Sequence, residues 1–433
     1  FEKWAAGKCP LAIAVERDGG QIAVRKTFIH GTKDMEQADR IYVERTVKMM
    51  LWCYGGFKVY IAGSEEMYKF IANAYCKGGA REFDADFMAR VYERDFEVVG
   101  CEYEKAPENV QKSVSVGRHL NGCRIGFDAG GSDRKVSAVI DGKPVFSEEV
   151  VWFPKTNSDP DYHFNGILEA FKTAASKMPR VDAIGVSSAG IYVQNRAMVA
   201  SLFLKVPLDE FDKKVKDIYI RAAKEIGDIP LEVANDGDVT ALAGAMSLED
   251  NNVLGIAMGT SEAAGFVDSE GNITGWLNEL AFAPVDLQAD AMEDEWSGDI
   301  GCGVKYFSQD SVIKLAPRAG IKLDESLSPA EKLKVVQGEM NNGSDAARAI
   351  YRSIGIYLGH AIGYYAMYYE IKHMLLLGRV MSGEGGDLII ENAEKVLKEE
   401  YPELAKKIEL HLPDEKIRRV GQSVAAASLP EVK

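Results

Sequence analysis

The sequence predicts an α/β protein in which two lobes of similar topology follow an N-terminal α/β segment. Apolar runs and amphipathic stretches follow the order β-β-β-α-β-α-β-α from Arg124 to Met246. A second strand–glycine–strand hairpin starts about 130 residues after the first. Between them, an apolar strand ends in Asn235-Asp236 and leads into an alanine-rich helix. Such strand-to-helix junctions are where ligands bind in α/β folds.

Composition narrows the class of protein. The chain has 433 residues, 46% of them hydrophobic and 27% charged, which is typical of a globular protein of two or three domains. A net charge of −15 argues against nucleic acid or an anionic membrane as partner. No apolar run is long enough to span a membrane. Six scattered cysteines and six histidines without metal-ligand spacing predict a cytoplasmic protein with reduced thiols and no zinc site.

Residues 1–121 are predicted to form an α/β accessory or dimerisation domain. Strands are expected at 11–15 and 21–29 around the turn Asp18-Gly19-Gly20, with a helix over 34–54. A short buried strand at 57–62 and a helix capped by Ser64 follow.

A glycine turn opens the first lobe, which is predicted to cover 122–248. The strand 123–129 ends near Asp128, and Gly130-Gly131-Ser132 leads into strands at 136–141 and 145–152. The turn's N–H groups and the Ser132 hydroxyl suit phosphate oxygens, and Asp128 suits Mg²⁺, bound directly or through water. The alternative is an ordinary Gly-Gly hairpin.

The rest of this lobe leads to the Asn235-Asp236 junction. A helix is expected over 164–177, then a buried strand at 181–187 before Ser188 and Gly190, whose small size permits close approach of a ligand. A helix over 211–226 precedes the junction. The structural alternative is that Asp236 only caps the helix.

The second lobe is predicted over 249–412. Strands are expected at 252–258, 262–267 and 273–276, with the turn Gly259-Thr260-Ser261 between the first two. Further on come a helical region over 329–374, a strand at 374–377, a glycine loop at 378–386, a helix at 387–399 and a strand at 408–412. A C-terminal helical segment, 413–433, is expected to return to the first lobe.

Four stretches together resemble the ROK family of sugar kinases and sugar-responsive regulators. Residues 126–135 resemble the phosphate motif D-x-G-G-T-K, with Ser132 in place of Thr, and 254–261 resemble the second phosphate motif. Residues 376–386 resemble the adenosine loop, and 233–245 resemble V-x-N-D-A-N-A-A-A-L-G-E. The resemblance covers about 122–433. It implies two ribonuclease-H-like lobes of the actin-like ATPase type, with ATP and a sugar in the cleft between them, and a homodimer.

The resemblance also implies roles for individual residues. Asp236 would be the general base that accepts the proton of a sugar hydroxyl, and Asp128 would lie near Mg²⁺. Sugar contacts would come from four residues: Asn235, Glu279, Ser188 and Gly190. ATP would be held by seven more: Gly130, Gly131, Ser132, Gly259, Thr260, Gly378 and Gly383.

Departures from the family pattern support a second hypothesis. Ser261-Glu262-Ala263 replaces the family's glycines after Gly259-Thr260, so side chains would crowd the phosphates and Glu262 would repel them. The family's zinc ligands are missing except for Cys302, and a sugar-binding Glu is replaced by Val304. The chain is therefore either a sugar kinase with an altered substrate or a non-catalytic sugar or nucleotide sensor. A purely structural protein on the same fold is the third alternative.

Overall fold

The computed structural model describes residues 1–111, 116–412 and 421–432. The chain divides into two compact units, Phe1–Ser113 with Trp276–Gly303, and Val114–Gly275 with Val304–Lys433. Residues 276–303, expected in the second lobe, therefore pack with the N-terminal segment. The division into domains 1–121, 122–248 and 249–412 stays a prediction.

The first unit is built on a four-stranded sheet in the order β2-β1-β3-β4. Its elements are α1 Glu2–Ala5, β1 Cys9–Arg17, β2 Gln21–Ile29, α2 Glu36–Tyr54, β3 Lys58–Ala62, α3 Glu65–Ala74, α4 Glu82–Tyr92 and β4 Glu97–Cys101. The strands and helix predicted up to residue 62 are confirmed, and Ser64 caps α3 by accepting the N–H of Met67. β4 was not predicted from the sequence, because it is short and half-exposed.

Residues 276–303 are tied to α2 by backbone bonds and buried charges. The N–H groups of Asn278 and Glu279 donate to the last turn of α2. The buried Lys48 ammonium lies 2.8 Å from Asp299 and 3.3 Å from Asp84. Burial opposes ionisation of Asp299, but the charges of Lys48 and then Arg81 hold its pKa well below the usual range. This segment therefore completes the hydrophobic and ionic interior of the first unit.

The second unit contains two sheets. We call the sheet with the strand order β11-β8-β5-β6-β7 the first sheet, and the sheet with the order β13-β12-β14-β15 the second sheet. The elements up to the junction are β5 Cys123–Ala129, β6 Asp133–Ile140, β7 Lys143–Val151, α5 Pro160–Ala175, β8 Ala183–Ser188, β9 Ile191–Val193, β10 Arg196–Val199, α6 Leu208–Glu210, α7 Ile218–Lys224, β11 Leu231–Asn235 and α8 Asp236–Leu248. Those that follow are β12 Val253–Met258, β13 Glu262–Val267, α9 Gln309–Leu315, α10 Pro329–Asn341, α11 Asp345–Tyr365, β14 His373–Leu377, α12 Glu384–Glu400, α13 Pro402–Ala405, β15 Glu409–His411 and α14 Gln422–Ala427.

Opposite faces of the first sheet pack against different helices. Ile125 and Phe127 of β5 share a core with Phe171 of α5. Gly126 and Gly185 lie on the other face, where an added Cβ would overlap backbone carbonyls of α14. The C-terminal helix therefore lies directly on the first sheet, while residues 413–420 of the predicted returning segment are outside the described part.

Four predicted elements differ from the structure. The strand expected at 273–276 is reduced to a single bridge between Ile273 and Val267. The helical region 329–374 is two helices, since Gly343 has φ +90° and Ser344 caps α11. The glycine loop becomes helical from Glu384, after Gly383 at φ 65°. The helix expected over 211–226 starts as a π turn, Phe211–Val215, and becomes α-helical at α7. Within the described residues, no helix has the length and apolarity to cross a bilayer.

Candidate functional site

Three neighbouring parallel strands end together in the first sheet. Asp128 of β5 pairs in register with Ser187 of β8, and Asn235 of β11 pairs with Ser188. The carboxyl ends of parallel strands form one edge of the sheet, the usual position of a ligand site in an open α/β fold. Polar residues that are far apart in sequence thus meet at that edge.

Asp128 is a desolvated carboxylate at this edge. The Ser187 hydroxyl donates to its Oδ1 at 2.9 Å. Burial raises the pKa of Asp128 to about 6, and the negative charge of Asp236 contributes to the rise. Asp236 is therefore close enough for its charge to oppose ionisation of Asp128.

Asn235, not Asp236, is the N-cap of α8. Its Oδ1 accepts the N–H of Gly237 at 2.7 Å, and its Nδ2 donates to the Gly190 carbonyl at 2.7 Å. Both ends of the side-chain amide are thus used within the protein. Asp236 is therefore not the helix cap. Asn235 caps the helix and orients Asp236, which follows it.

Asp236 is the first residue of α8 and is half-buried. Burial raises the pKa of its carboxyl, an effect partly offset by backbone N–H groups and by the charge of Lys155. Gln422 of α14 donates to the Asp236 carbonyl at 3.4 Å and to the Ser187 hydroxyl at 3.1 Å. Asp236 is therefore positioned by two helices and linked through Ser187 to Asp128.

The first glycine turn is held from outside the hairpin. Trp152 Nε1 donates to the Gly130 carbonyl at 2.8 Å, and an added Cβ on Gly130 would lie 2.7 Å from the Asp133 carbonyl. Ser132 is exposed at the tip of the turn, where its hydroxyl donates to Asp133. Gly130, Gly131 and Ser132 thus form an ordered turn beside Asp128, as a phosphate site requires.

Lys155 is a site residue that the sequence prediction missed. A Cβ on Gly131 would lie 2.8 Å from Lys155 Cε and 3.2 Å from its Nζ. The exposed ammonium therefore lies over the glycine turn, and its charge also acts on Asp236. Pro154 precedes Lys155 and is typical of a turn after a strand. A turn residue does not indicate which loop the lysine side chain contacts, so the sequence did not predict this position.

Ser188 and Gly190 have structural tasks. The Ser188 hydroxyl is fully buried and bonds to Tyr219 at 2.8 Å and Tyr192 at 2.7 Å. This placement argues against Ser188 as a sugar contact, because its hydroxyl is enclosed. Gly190 has φ +138°, and its carbonyl holds the amide of Asn235, so its contribution to the site is indirect.

The second phosphate segment is a short turn between β12 and β13. The Gly259 N–H donates to the Ser261 carbonyl at 3.0 Å, and Thr260 and Ser261 are exposed. Glu262 already belongs to β13 and is 3% exposed, so its side chain is directed into the interior. The Glu262 carboxylate therefore does not project from the surface of the turn, and its expected effect on phosphate binding stays a prediction.

The predicted adenosine loop lies beside this turn. Gly378 has φ +103°, and a Cβ there would overlap the Met258 backbone, directly before Gly259. Gly383 has φ +65° and open space around it, and it starts α12. Gly259, Thr260 and Gly378 are therefore brought together at the carboxyl ends of β12 and β14.

The start of α8 joins the two sheets. An added Cβ on Gly237 would overlap the Ala264 carbonyl of β13, and Asp238 Oδ1 accepts the N–H of Phe266 at 3.1 Å. Asp236 is consequently held where α8, which follows the first sheet, packs against β13 of the second sheet.

Glu279 belongs to the first unit, where its N–H donates to the Trp52 carbonyl at 3.0 Å. Its predicted sugar contact stays a prediction. Cys302, in the same unit, is a buried thiol whose pKa burial raises to about 11.

The donor set suits a hard cation and phosphates. Two partly desolvated carboxylates, Asp128 and Asp236, need a positive charge nearby, and oxygen donors are what Mg²⁺ prefers. The Lys155 ammonium and the exposed hydroxyls of both turns are groups of the kind that bind phosphate oxygens. The arrangement can hold a polyanion and accept a proton next to it.

Comparison with solved structures identifies the fold. A ROK hexokinase from Thermus thermophilus superposes with a TM-score of 0.55 at 16% identity, over 71% of this chain and 97% of that one. A ROK family transcriptional regulator, homolog of the E. coli MLC protein, gives 0.53 and 18%, over 71% and 78%. A ROK family protein from Streptococcus pneumoniae TIGR4 in complex with sucrose gives 0.51 and 12%, over 70% and 96%.

No family model matches the sequence, and no curated protein does either. The likeness in three dimensions nevertheless shows that this chain has the α/β fold of these ROK structures.

Proposed function

We propose that this ROK-fold protein is an ATP-dependent kinase for a sugar or sugar-like alcohol, with Asp236 as the general base. The observation that carries the proposal is the pair Asp128 and Asp236, two carboxylates at the strand edge. Burial raises the pKa of both, and the charge of Asp236 adds to the rise for Asp128. A protein that used this edge only for packing would gain nothing from two desolvated charges there.

In this proposal Asp236 accepts the proton of the attacking hydroxyl. The hydroxyl oxygen forms a bond to the γ-phosphorus, the bond from that phosphorus to the β–γ bridging oxygen breaks, and ADP leaves. A correctly placed base contributes roughly 10²–10⁴-fold to the rate. Asn235 contributes by fixing the first turn of α8, and Gln422 fixes it from the side of α14.

Mg²⁺ and ATP are the proposed cofactors. Asp128 would hold the ion, directly or through water, and the ion would neutralise charge on the transferred group. Gly130, Gly131, Ser132 and Lys155 would contact phosphates from the first lobe. Gly259, Thr260, Gly378 and Gly383 would contact the nucleotide from the second. A homodimer and a cytoplasmic location remain predictions from the resemblance and the composition.

A sugar-binding regulator is the second candidate function. The likeness to a ROK transcriptional regulator favours it, as does the additional α/β unit. A regulator would bind the sugar without needing Asp236 ionised. If the wild type binds a sugar but shows no turnover, the protein is a regulator and not a kinase.

The test is ADP release with a panel of hexoses, N-acetylhexosamines and polyols, on wild type and Asp236→Asn. We expect one sugar class to stimulate turnover and the variant to lose at least 100-fold in kcat, with ATP binding kept. Glu232→Gln is the matched control, because Glu232 of β11 is another half-buried carboxyl, with its pKa raised to about 7 by burial. Absence of sugar-stimulated turnover, or equal losses in both variants, would refute the kinase.

A further inference from the structure

His373 is distant in sequence from Glu409 and His411, and the three side chains meet where β14 and β15 pair. β14 begins with His373, and β15 carries Glu409 and His411. The strands are parallel, with His373 paired to Glu409 in register. Side chains two residues apart on a strand share a face, as do registered neighbours, so all three lie on one face.

Their potential ligand atoms form a compact triangle. His373 Nδ1 lies 2.9 Å from His411 Nε2, and Glu409 Oε2 lies 3.8 Å from each of these nitrogens. A triangle with those sides has its centre about 2.1 Å from every corner. Zinc–nitrogen and zinc–oxygen bonds are about 2.0–2.2 Å long. Within the described chain, this is the group of three His, Cys, Asp or Glu side chains whose ligand atoms all lie within 4.8 Å of one another.

Asp250 orients His373 for coordination. His373 Nε2 lies 3.1 Å from Asp250 Oδ2, and a carboxylate accepts the hydrogen bond, so Nε2 carries the proton. The lone pair of His373 is therefore on Nδ1, the nitrogen that faces His411 and Glu409. A carboxylate bonded to the far nitrogen of a metal-binding histidine is the usual arrangement around protein zinc.

We propose that His373, His411 and Glu409 bind a divalent transition-metal ion of the zinc type, with Asp250 supporting His373. Two imidazoles and one carboxylate select Zn²⁺ and its neighbours over Mg²⁺ or Ca²⁺, which prefer oxygen donors. A water molecule would complete the coordination. The sequence alone predicted no zinc site, because no two histidines are closely spaced; the parallel pairing of β14 with β15 brings these two together.

The role of this site is structural. His373 lies at the amino end of β14, whose carboxyl end leads into Gly378, and Glu409 of β15 pairs with His373 at that amino end. Five or six residues of strand separate the two edges by roughly 15–20 Å. An ion there would cross-link β15 to β14, and through Asp250 to the chain that enters β12, without touching the proposed kinase site.

The test uses the full chain, stripped with EDTA and dialysed against micromolar ZnCl₂, with bound zinc measured by elemental analysis and thermal unfolding followed in parallel. We expect about one zinc per chain and a raised Tm in the wild type, since a ligand of the folded state alone stabilises it. His411→Ala and Glu409→Gln should each lose at least ten-fold in affinity, and Asp250→Asn about 10–100-fold. His360→Ala, which removes an exposed histidine of α11, should bind as the wild type does.

Two results would overturn the site. One is no zinc retained by the wild type above the level of the His411→Ala, Glu409→Gln double variant. The other is equal zinc in all variants, which would assign the metal to exposed thiols such as Cys76. Because the readouts are bound metal and Tm, they are independent of any phosphoryl transfer.

Discussion

Gly237 and Gly265 are packed backbone to backbone, and a Cβ on Gly265 would overlap the carbonyl carbon of Gly237. This contact presses the first turn of α8 against β13, next to Asp236. The small residues of the second phosphate segment thus have two different tasks. Gly259 belongs to the exposed turn, whereas Gly265 makes room for the helix that carries the proposed base.

Gly265→Ala is expected to displace the start of α8. An overlap with backbone cannot be relieved by a side-chain rotation, so we expect a loss of about 1–3 kcal/mol in the free energy of unfolding and at least ten-fold in kcat. Denaturant unfolding and ADP release measure the two effects. Gly338→Ala, in an open position of α10, is the control and should be neutral or slightly stabilising. Equal behaviour of the two variants would contradict the packing argument.

The pH profile of kcat/KM should show an acid limb above the ordinary range of an aspartate. The base must be ionised, and burial raises the pKa of Asp236 while that of Asp128 is raised to about 6. Activity is therefore expected to fall as pH drops through the apparent pKa of the pair. Glu232→Gln removes another carboxyl with a raised pKa and should leave the limb in place. A limb in the ordinary aspartate range, or one that moves in Glu232→Gln, would assign the titration to other groups.

Asp128→Asn should stabilise the protein at neutral pH. The pKa of Asp128 is higher folded, at about 6, than its ordinary value of 3.8, so the folded state binds the proton more tightly. The stability linked to that proton is fully present below about 3.8 and lost as pH rises through about 6. In EDTA at pH 8, we expect a gain on the order of 1 kcal/mol, or about 2–4 °C in Tm.

That gain should vanish at pH 4, where Asp128 is protonated in the folded state. Asp209→Asn removes the same charge from the exposed surface and separates this effect from a lower net charge. A lower Tm for Asp128→Asn at pH 8 would show that its carboxylate is stabilised rather than strained.

Lys155→Met should weaken nucleotide binding. The ammonium over Gly131 is a cation at the first glycine turn, and its loss removes a charge-assisted contact to phosphate. We expect the KM for ATP to rise about ten-fold with the KM for sugar little changed. Lys143→Met, at the opposite end of β7 from Lys155, should leave both constants unchanged. An unaltered KM for ATP in Lys155→Met would show that this lysine does not contact the nucleotide.

Asp299→Asn should destabilise the first unit strongly. It leaves the buried cations Lys48 and Arg81 without this partner, a loss of about 3–5 kcal/mol. Thermal unfolding and protease sensitivity of residues 276–303 report the effect. Asp290→Asn, an exposed acid of the same segment, should behave as wild type.

The Asp299 effect has a defined pH window. The lowered pKa means that its stabilisation is present above about 3.8 and is lost as pH falls below that value. The difference in Tm between wild type and Asp299→Asn should therefore shrink in acid. A constant difference down to pH 3 would contradict the ion-pair explanation.

The sequence by itself determined the α/β order, most strand positions and the Asn235-Asp236 junction, because local periodicity and turn residues encode them. The register of β5, β8 and β11 then decided that Asp128, Ser187 and Asn235 share one edge.

Tertiary structure alone decided the rest. It made Asn235 the cap, enclosed Ser188 between tyrosines, brought Lys155 over the glycine turn and joined residues 276–303 to the first unit. It also paired His373 with His411. These contacts depend on which strands are neighbours and which faces are covered, and the spacing of residues along a single chain does not specify either.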